Sequence, residues 1–236
     1  LARLEQILAN SAEVGLRQNL DRLALELFSP LASKLGWNTK KDESHTDTLL
    51  RSLVISRIGR AGNKRIIIET RKRFKKMLHG EHVDPDLRGV IYGIVATHGG
   101  IKEYQTLVVK YKKETLHEEK NRIGGALGAF KNPKILKLAC AFSLSKNVRP
   151  QDTVGIISSV GANPAGRDVW WNFVTKNWKM LVARYGDGGH TLARLIKAIS
   201  GSAEEKHFKA FKKFFAIHDA PGAKRSIEQV LERLEG

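Results

Sequence analysis

Apolar residues recur at the helical period along nearly the whole chain, and polar, glycine or proline breaks separate the runs. The clearest case lies between Val148 and Trp178. Pro150 suits the first turn of a helix, because the N–H it lacks would have no partner there. Val154, Ile157 and Val160 follow at helical spacing, and Gly161, Asn163, Pro164 and Gly166 then break the chain. A second helix is predicted from Asp168, as its N-cap, to Tyr185, with Gly186 closing it in the left-handed conformation. At about 100° per residue, Trp170, Trp171, Val174, Trp178, Leu181, Val182 and Tyr185 cover a wide apolar face, with Phe173 at its edge. A face that wide predicts packed neighbours on two sides.

The rest of the chain reads in the same way. Leu16–Leu35 is predicted as a helix with Leu16, Leu20, Leu23, Leu27 and Leu31 on its apolar side and Pro30 as an interruption. Thr39–Ser44 is a polar connection. Thr46–Ile58 places Leu49, Leu50, Leu53, Val54 and Ile58 on one side and stops at Gly59 or Gly62. Asn63–Leu78, Asp84–Thr97, Ile101–Thr115, His117–Phe130 and Asn132–Ser143 follow, then Thr191–Ile199, Ala203–Ile217 and Ala223–Leu234. The β-branched runs Ile66–Ile68 and Thr106–Val109 have flanks of helical period, which assigns them to helices. Short connections between helices of moderate length make consecutive helices antiparallel neighbours. The expected fold is therefore all-α, an irregular superhelix (α-solenoid) of helix pairs similar to HEAT or armadillo repeats. No linker or composition shift divides the chain, so residues 1–236 are expected to form one domain.

Charge adds one feature to that picture. Forty-one Lys and Arg against 24 Asp and Glu give a formal net charge of +17. Such a surface attracts polyanions without specificity at low salt. The basic residues are spread over several amphipathic stretches, such as Lys206, Lys209, Lys212 and Lys213 beside the stripe of Phe208, Phe211, Phe214 and Phe215. Neither a ribonucleoprotein signature nor a zinc-finger spacing is present, so no specific nucleic-acid partner is expected. No apolar run is long enough to cross a membrane as a helix, and no membrane partner is expected. The single cysteine, Cys140, sits in an apolar run and reads as a buried structural thiol. That usage suits a cytoplasmic protein.

Metal-binding and catalytic chemistry find no frame. A helical zinc site of the His-Glu-x-x-His type needs two histidines one turn apart on one face. The nearest segments, His79 to His82 and His117 to Lys120, lack that spacing. Gly80 and the following Asp84 and Pro85 place His79 and His82 in a solvated loop.

Several segments together resemble a known family. They are Val148 to Val154, Gly166 and Arg167 with Trp171, Phe173, Asn177 and Trp178, and Leu49 to Ser52 after Leu35, Gly36 and Trp37. Asp86 to Arg88, Glu118 to Ile123, Arg194 to Lys197 and the tail from Phe214 to Ile227, with Ala220, Pro221 and Arg225 to Ile227, complete the set. In this order they resemble the C-terminal helical domain of the puromycin-sensitive aminopeptidases. These are zinc gluzincins of the aminopeptidase N family, which trim peptides from the amino end. The resemblance covers nearly the whole chain. It implies a fragment of a domain that encloses the peptide chamber and serves substrate admission and domain closure, with no metal or catalytic residue of its own. Zinc would belong to the parent enzyme, and the partners would be the catalytic domain of the same polypeptide and peptide substrates. The family's Gly-Ala-Met-Glu-Asn segment, which holds the substrate's amino terminus, is absent here.

Within those segments Arg122 and Arg167 are the candidate substrate-binding residues, since a guanidinium fork pairs with a carboxylate through two hydrogen bonds. Either could instead cap a helix end or pair with a nearby acid. Relatives that hold a peptide's carboxyl end carry a basic residue nearer Ala162, where this chain has none. Two other classes stay open at this level: a free-standing helical-repeat scaffold that binds proteins, and a basic helical-repeat nucleic-acid binder.

Overall fold

The computed structural model describes residues 14–186, 190–200, 204–220 and 222–235, and every regular element among them is helical. The expected all-α class is what is found. The chain divides into two compact units, Val14–Phe130 and the described part of Lys131–Gly236.

The first unit holds α1 (Val14–Leu35), α2 (His45–Arg60), α3 (Lys64–Leu78), α4 (Pro85–Thr97), α5 (Ile101–Lys113) and α6 (His117–Leu127). Consecutive helices pack on one another, and α2, α4 and α6 also pack in series, so they form one layer that α3 and α5 cover. Val54, Ile55 and Ile58 of α2, Leu87, Ile91 and Ile94 of α4, and Ile123 and Leu127 of α6 are buried in that layer. Phe74 of α3 meets Tyr92 edge to face, and Tyr104 of α5 meets Phe130.

Side-chain caps start most of these helices. Oγ of Ser44 accepts from the Asp47 N–H, Asn63 Oδ1 from the Ile66 N–H, and Asp84 Oδ1 from the Asp86 N–H ahead of Pro85 at the first helical position. Glu103 accepts the Gly100 N–H at 2.8 Å, the half of a capping box that a glycine N-cap allows.

Three expectations for this unit need correction. The first helix runs through Pro30 instead of breaking there. Its buried line is Leu20, Ala24, Ala32 and Leu35, while Leu23 and Leu27 are exposed. On α2, Leu49 and Leu53 are exposed and Arg51 points inward, because Glu43 on the preceding loop supplies its partner. Of the two glycines expected to stop α2, Gly62 does so, at φ +98. Gly59 lies inside the helix, where an added Cβ would stand 2.4 Å from Ile94 Cδ1, so its absence lets α4 approach.

The second unit holds α7 (Pro133–Ser143), α8 (Pro150–Ala162), a 3₁₀ turn (Pro164–Gly166), α9 (Arg167–Lys176), α10 (Trp178–Tyr185), α11 (His190–Lys197), α12 (Glu205–Phe215) and α13 (Lys224–Glu235). Asn132 caps α7 ahead of Pro133. The α8 helix packs on α7, α9 and α11, and α13 packs on α11 and α12. Gly161 admits Trp170 onto α8, since a Cβ there would stand 2.7 Å from the indole Cδ1. The single helix expected from Asp168 to Tyr185 is two helices. Asn177 separates them, donating from its side chain to the Phe173 carbonyl at 2.7 Å. Asp168 lies within the first turn instead of capping it, and Gly186 is right-handed at φ −66. Ala203, the expected start of the next helix, and Pro221 lie outside the described residues.

Candidate functional site

Arg122 and Arg167 fall in different units, so each belongs to its own surroundings. Arg88 and Tyr92, four residues apart, share a face of α4, and Glu118, Glu119 and Arg122 share one of α6. Glu119 is only 2% exposed. It accepts the Tyr92 hydroxyl at 2.5 Å and Nη1–H of Arg122 at 3.0 Å, and Arg88 stands 3.8 Å away. A carboxylate that deep needs such partners, because an unpaired buried charge is costly. Burial, and then the bond to Glu119, push the Tyr92 hydroxyl far above the usual tyrosine value, so it stays a donor. The other terminal nitrogen of Arg122, Nη2, reaches the exposed Glu118. Arg122 is thus anchored by an interior acid and holds an outer one that faces solvent.

Arg167, 5% exposed, opens α9 directly after the 3₁₀ turn. Its neighbour Asp168 turns outward to α12: Nε2 of the buried His207 lies 2.8 Å from Oδ1, and Lys206 Nζ lies 3.0 Å from Oδ2. The bond from His207, ahead of the one from Lys206, holds the Asp168 carboxyl below the usual aspartate value. Nearby, Trp171, Trp178, Phe211, Phe214 and Phe215 form a continuous set of edge-on and tilted ring contacts. The Trp178 indole N–H donates to the Asp219 carbonyl at 3.1 Å.

Tyr92, Glu119, Arg51 and His207 were not singled out by sequence reasoning as buried polar residues. Glu119 and Arg51 enter the sequence reading only as members of family-like segments. The i to i+4 spacing of Arg88 and Tyr92 was the one available signal.

The described residues do not fit a zinc site. His79 and His82 are both exposed, Gly80 between them is at φ +80, and His79 Nδ1 is engaged with the Lys75 carbonyl at 2.8 Å. No group of three or more His, Cys, Asp or Glu side chains among the described residues could hold a metal. Cys140 is buried, and burial pushes its thiol up to about 12, which suits a structural role and not a nucleophile. None of the described helices is long and apolar enough to cross a membrane.

The sequence itself matches a known protein domain. The model of the ERAP1-like C-terminal domain matches residues 1–236. The chain belongs to that family. It is 30% identical to aminopeptidase M1 of Arabidopsis thaliana over 230 residues, which is 94% of this chain and 26% of that protein. It is 30% identical to glutamyl aminopeptidase of Bitis rhinoceros over 211 residues, 87% of this chain and 22% of that protein. Aminopeptidase N of Mus musculus is 29% identical over 173 residues, 71% of this chain and 18% of that protein. The chain therefore spans about a quarter or less of the length of these relatives.

Proposed function

We propose that residues 1–236 serve as a non-catalytic part of the C-terminal domain of a cytoplasmic zinc aminopeptidase. In that role they bound the chamber that admits peptides and take part in closure against the catalytic domain of the same polypeptide. The observation that carries this reading is the family match across all 236 residues. The relatives' names support it, since each is an aminopeptidase in which a stretch this long is a minor share of the protein. Zinc, and the chemistry of peptide-bond hydrolysis that it supplies, would belong to the part of the enzyme that carries a zinc-ligand set.

Arg122 and Arg167 remain the proposed contacts for the acidic or carboxyl-terminal part of a peptide. Arg122 has a workable geometry for this. Its bond to Glu119 fixes the guanidinium, and a substrate carboxylate can replace the exposed Glu118 on Nη2 without disturbing the anchor. The test uses the intact enzyme with Arg122→Ala, Arg167→Ala and Glu118→Gln. Each arginine change should raise KM for acidic peptides more than for a small aminoacyl dye, and Glu118→Gln should lower KM for acidic peptides. Equal effects on both substrates, or none, would leave both arginines with a structural role.

A further inference from the structure

The first unit carries a groove of about 580 Å³ that the proposed role does not use. It lies between the end of α3 and one face of α5. Lys102, Gln105, Thr106, Val109, Lys110 and Lys113 repeat at helical spacing along that face. Met77 and Leu78 of α3 supply the facing wall. The floor is aliphatic and open: Leu78 is 44% exposed and Val109 is 50% exposed. Exposed aliphatic side chains framed by cations offer a ligand both hydrophobic and electrostatic contact.

The rim is cationic. Lys110 is taken by Glu114 at 3.6 Å, and Glu114 also accepts the Thr115 and Leu116 N–H groups, so the one acid in the groove is already satisfied. Among the described residues, neither Lys102 nor Lys113 is within ion-pair distance of a carboxylate. Beyond the rim, α3 carries seven Lys and Arg against one Glu, and that acid pairs with Arg73. Lys72 and Lys75 on its outer face are exposed. No aromatic ring lines the groove, so it has no surface on which a nucleobase would stack.

We propose that this groove docks an acidic amphipathic segment of a partner polypeptide. The partner's aliphatic side chains would lie over Leu78 and Val109 and its carboxylates on Lys102 and Lys113. Helix-in-groove recognition works in this way, with apolar anchors at i, i+3 or i+4 and i+7 on one side and charge on the other. The aliphatic floor separates this from simple polyanion attraction, which the +17 charge would give to any part of the surface.

The experiment titrates the 236-residue chain into a fluorescent synthetic helix-forming peptide with Leu at i, i+4 and i+7 and Glu elsewhere, and follows anisotropy. A scrambled peptide of the same composition and a single-stranded DNA oligonucleotide serve as comparison probes. The amphipathic peptide should bind about tenfold or more tightly than the scrambled one, the difference being hydrophobic contact. Lys102→Glu with Lys113→Glu should weaken it by about tenfold or more, as reversal of complementary charge does. Val109→Ser should weaken the amphipathic peptide and leave the scrambled one unchanged. All three positions face solvent, and Lys102→Gln with Lys113→Gln repeats the test should charge reversal disturb the fold. Equal binding of the two peptides would overturn the proposal. So would insensitivity to the lysine or Val109 changes, or an oligonucleotide that binds more tightly and is equally indifferent to Val109.

Discussion

The Tyr92 hydroxyl donates to the buried Glu119 carboxylate at 2.5 Å, joining α4 to α6 through the interior of the first unit. The same carboxylate fixes Arg122, so the bond links the core to the one proposed contact that faces solvent on one side. Tyr92→Phe removes the donor and leaves a buried oxygen short of a partner. It should cost about 1–3 kcal/mol, the usual penalty for an unsatisfied buried acceptor. The denaturant midpoint of the purified chain checks this, and an unchanged midpoint would mean that water takes the place of the hydroxyl.

Arg51 and Glu43 form the second interior pair, and both side chains are nearly inaccessible. Arg51 also donates to the carbonyl of Leu35, the last residue of α1, at 3.4 Å, so the end of α1 and the loop after it are both tied to α2. Its Nε and Nη1 have no hydrogen-bond partner among the described residues, so Glu43 is its main compensation. Glu43→Ala should cost about 3–5 kcal/mol, because it strands a buried charge. Replacing both residues, Arg51→Met with Glu43→Leu, should cost much less than the single change. A double-mutant cycle measures the difference, and strictly additive effects would contradict the pairing.

Much of this fold was legible in the chain because helix starts are written in local chemistry. Asn63, Asp84 before Pro85 and Asn132 before Pro133 mark the caps that the structure uses. What was not legible depends on partners distant in sequence or on side-chain direction. The outward Leu49 and Leu53 and the inward Arg51 invert the pattern that hydrophobicity alone suggests, because Glu43 makes a buried guanidinium tolerable. The break at Asn177 arises from a side-chain bond to the Phe173 carbonyl that competes with the helix, and no glycine or proline announces it. Pairing of Arg122 with a nearby acid was an open alternative in the sequence, but the depth of Glu119 was not legible there. That depth is set by the packing of α4 on α6.

Trp178 tests the second unit. It is 5% exposed, meets Phe214 and Phe215 edge to face at 5.7 and 5.1 Å, and donates to Asp219. Trp178→Ala should destabilise by about 3–5 kcal/mol, the range for large-to-small changes in a packed core. A denaturant midpoint equal to wild type would contradict this packing.

Glu103 supplies a pH-dependent term. Its bond from the Gly100 N–H, with Arg71 nearby, holds its carboxyl below the usual glutamate value when folded. The unfolded chain therefore takes up the proton first as pH falls. The stabilisation is fully present above the ordinary glutamate range and is lost as pH drops through the depressed folded value. Glu103→Ala should cost about 1 kcal/mol at neutral pH, as loss of a cap does. The gap from wild type should close at acid pH. A gap independent of pH would show that the ionised carboxylate is not what caps α5.

The central claim is that this chain is a non-catalytic part of a larger zinc aminopeptidase. The native polypeptide carrying this sequence should be captured with an antibody raised against residues 14–130. Its mass, zinc content and hydrolysis of a fluorogenic aminoacyl substrate should then be measured beside those of the purified 236-residue chain. The account predicts a polypeptide several times longer with chelator-sensitive aminopeptidase activity, and an isolated chain with neither stoichiometric zinc nor turnover. One zinc per isolated chain with chelator-sensitive turnover, or a long native polypeptide without aminopeptidase activity, would contradict it.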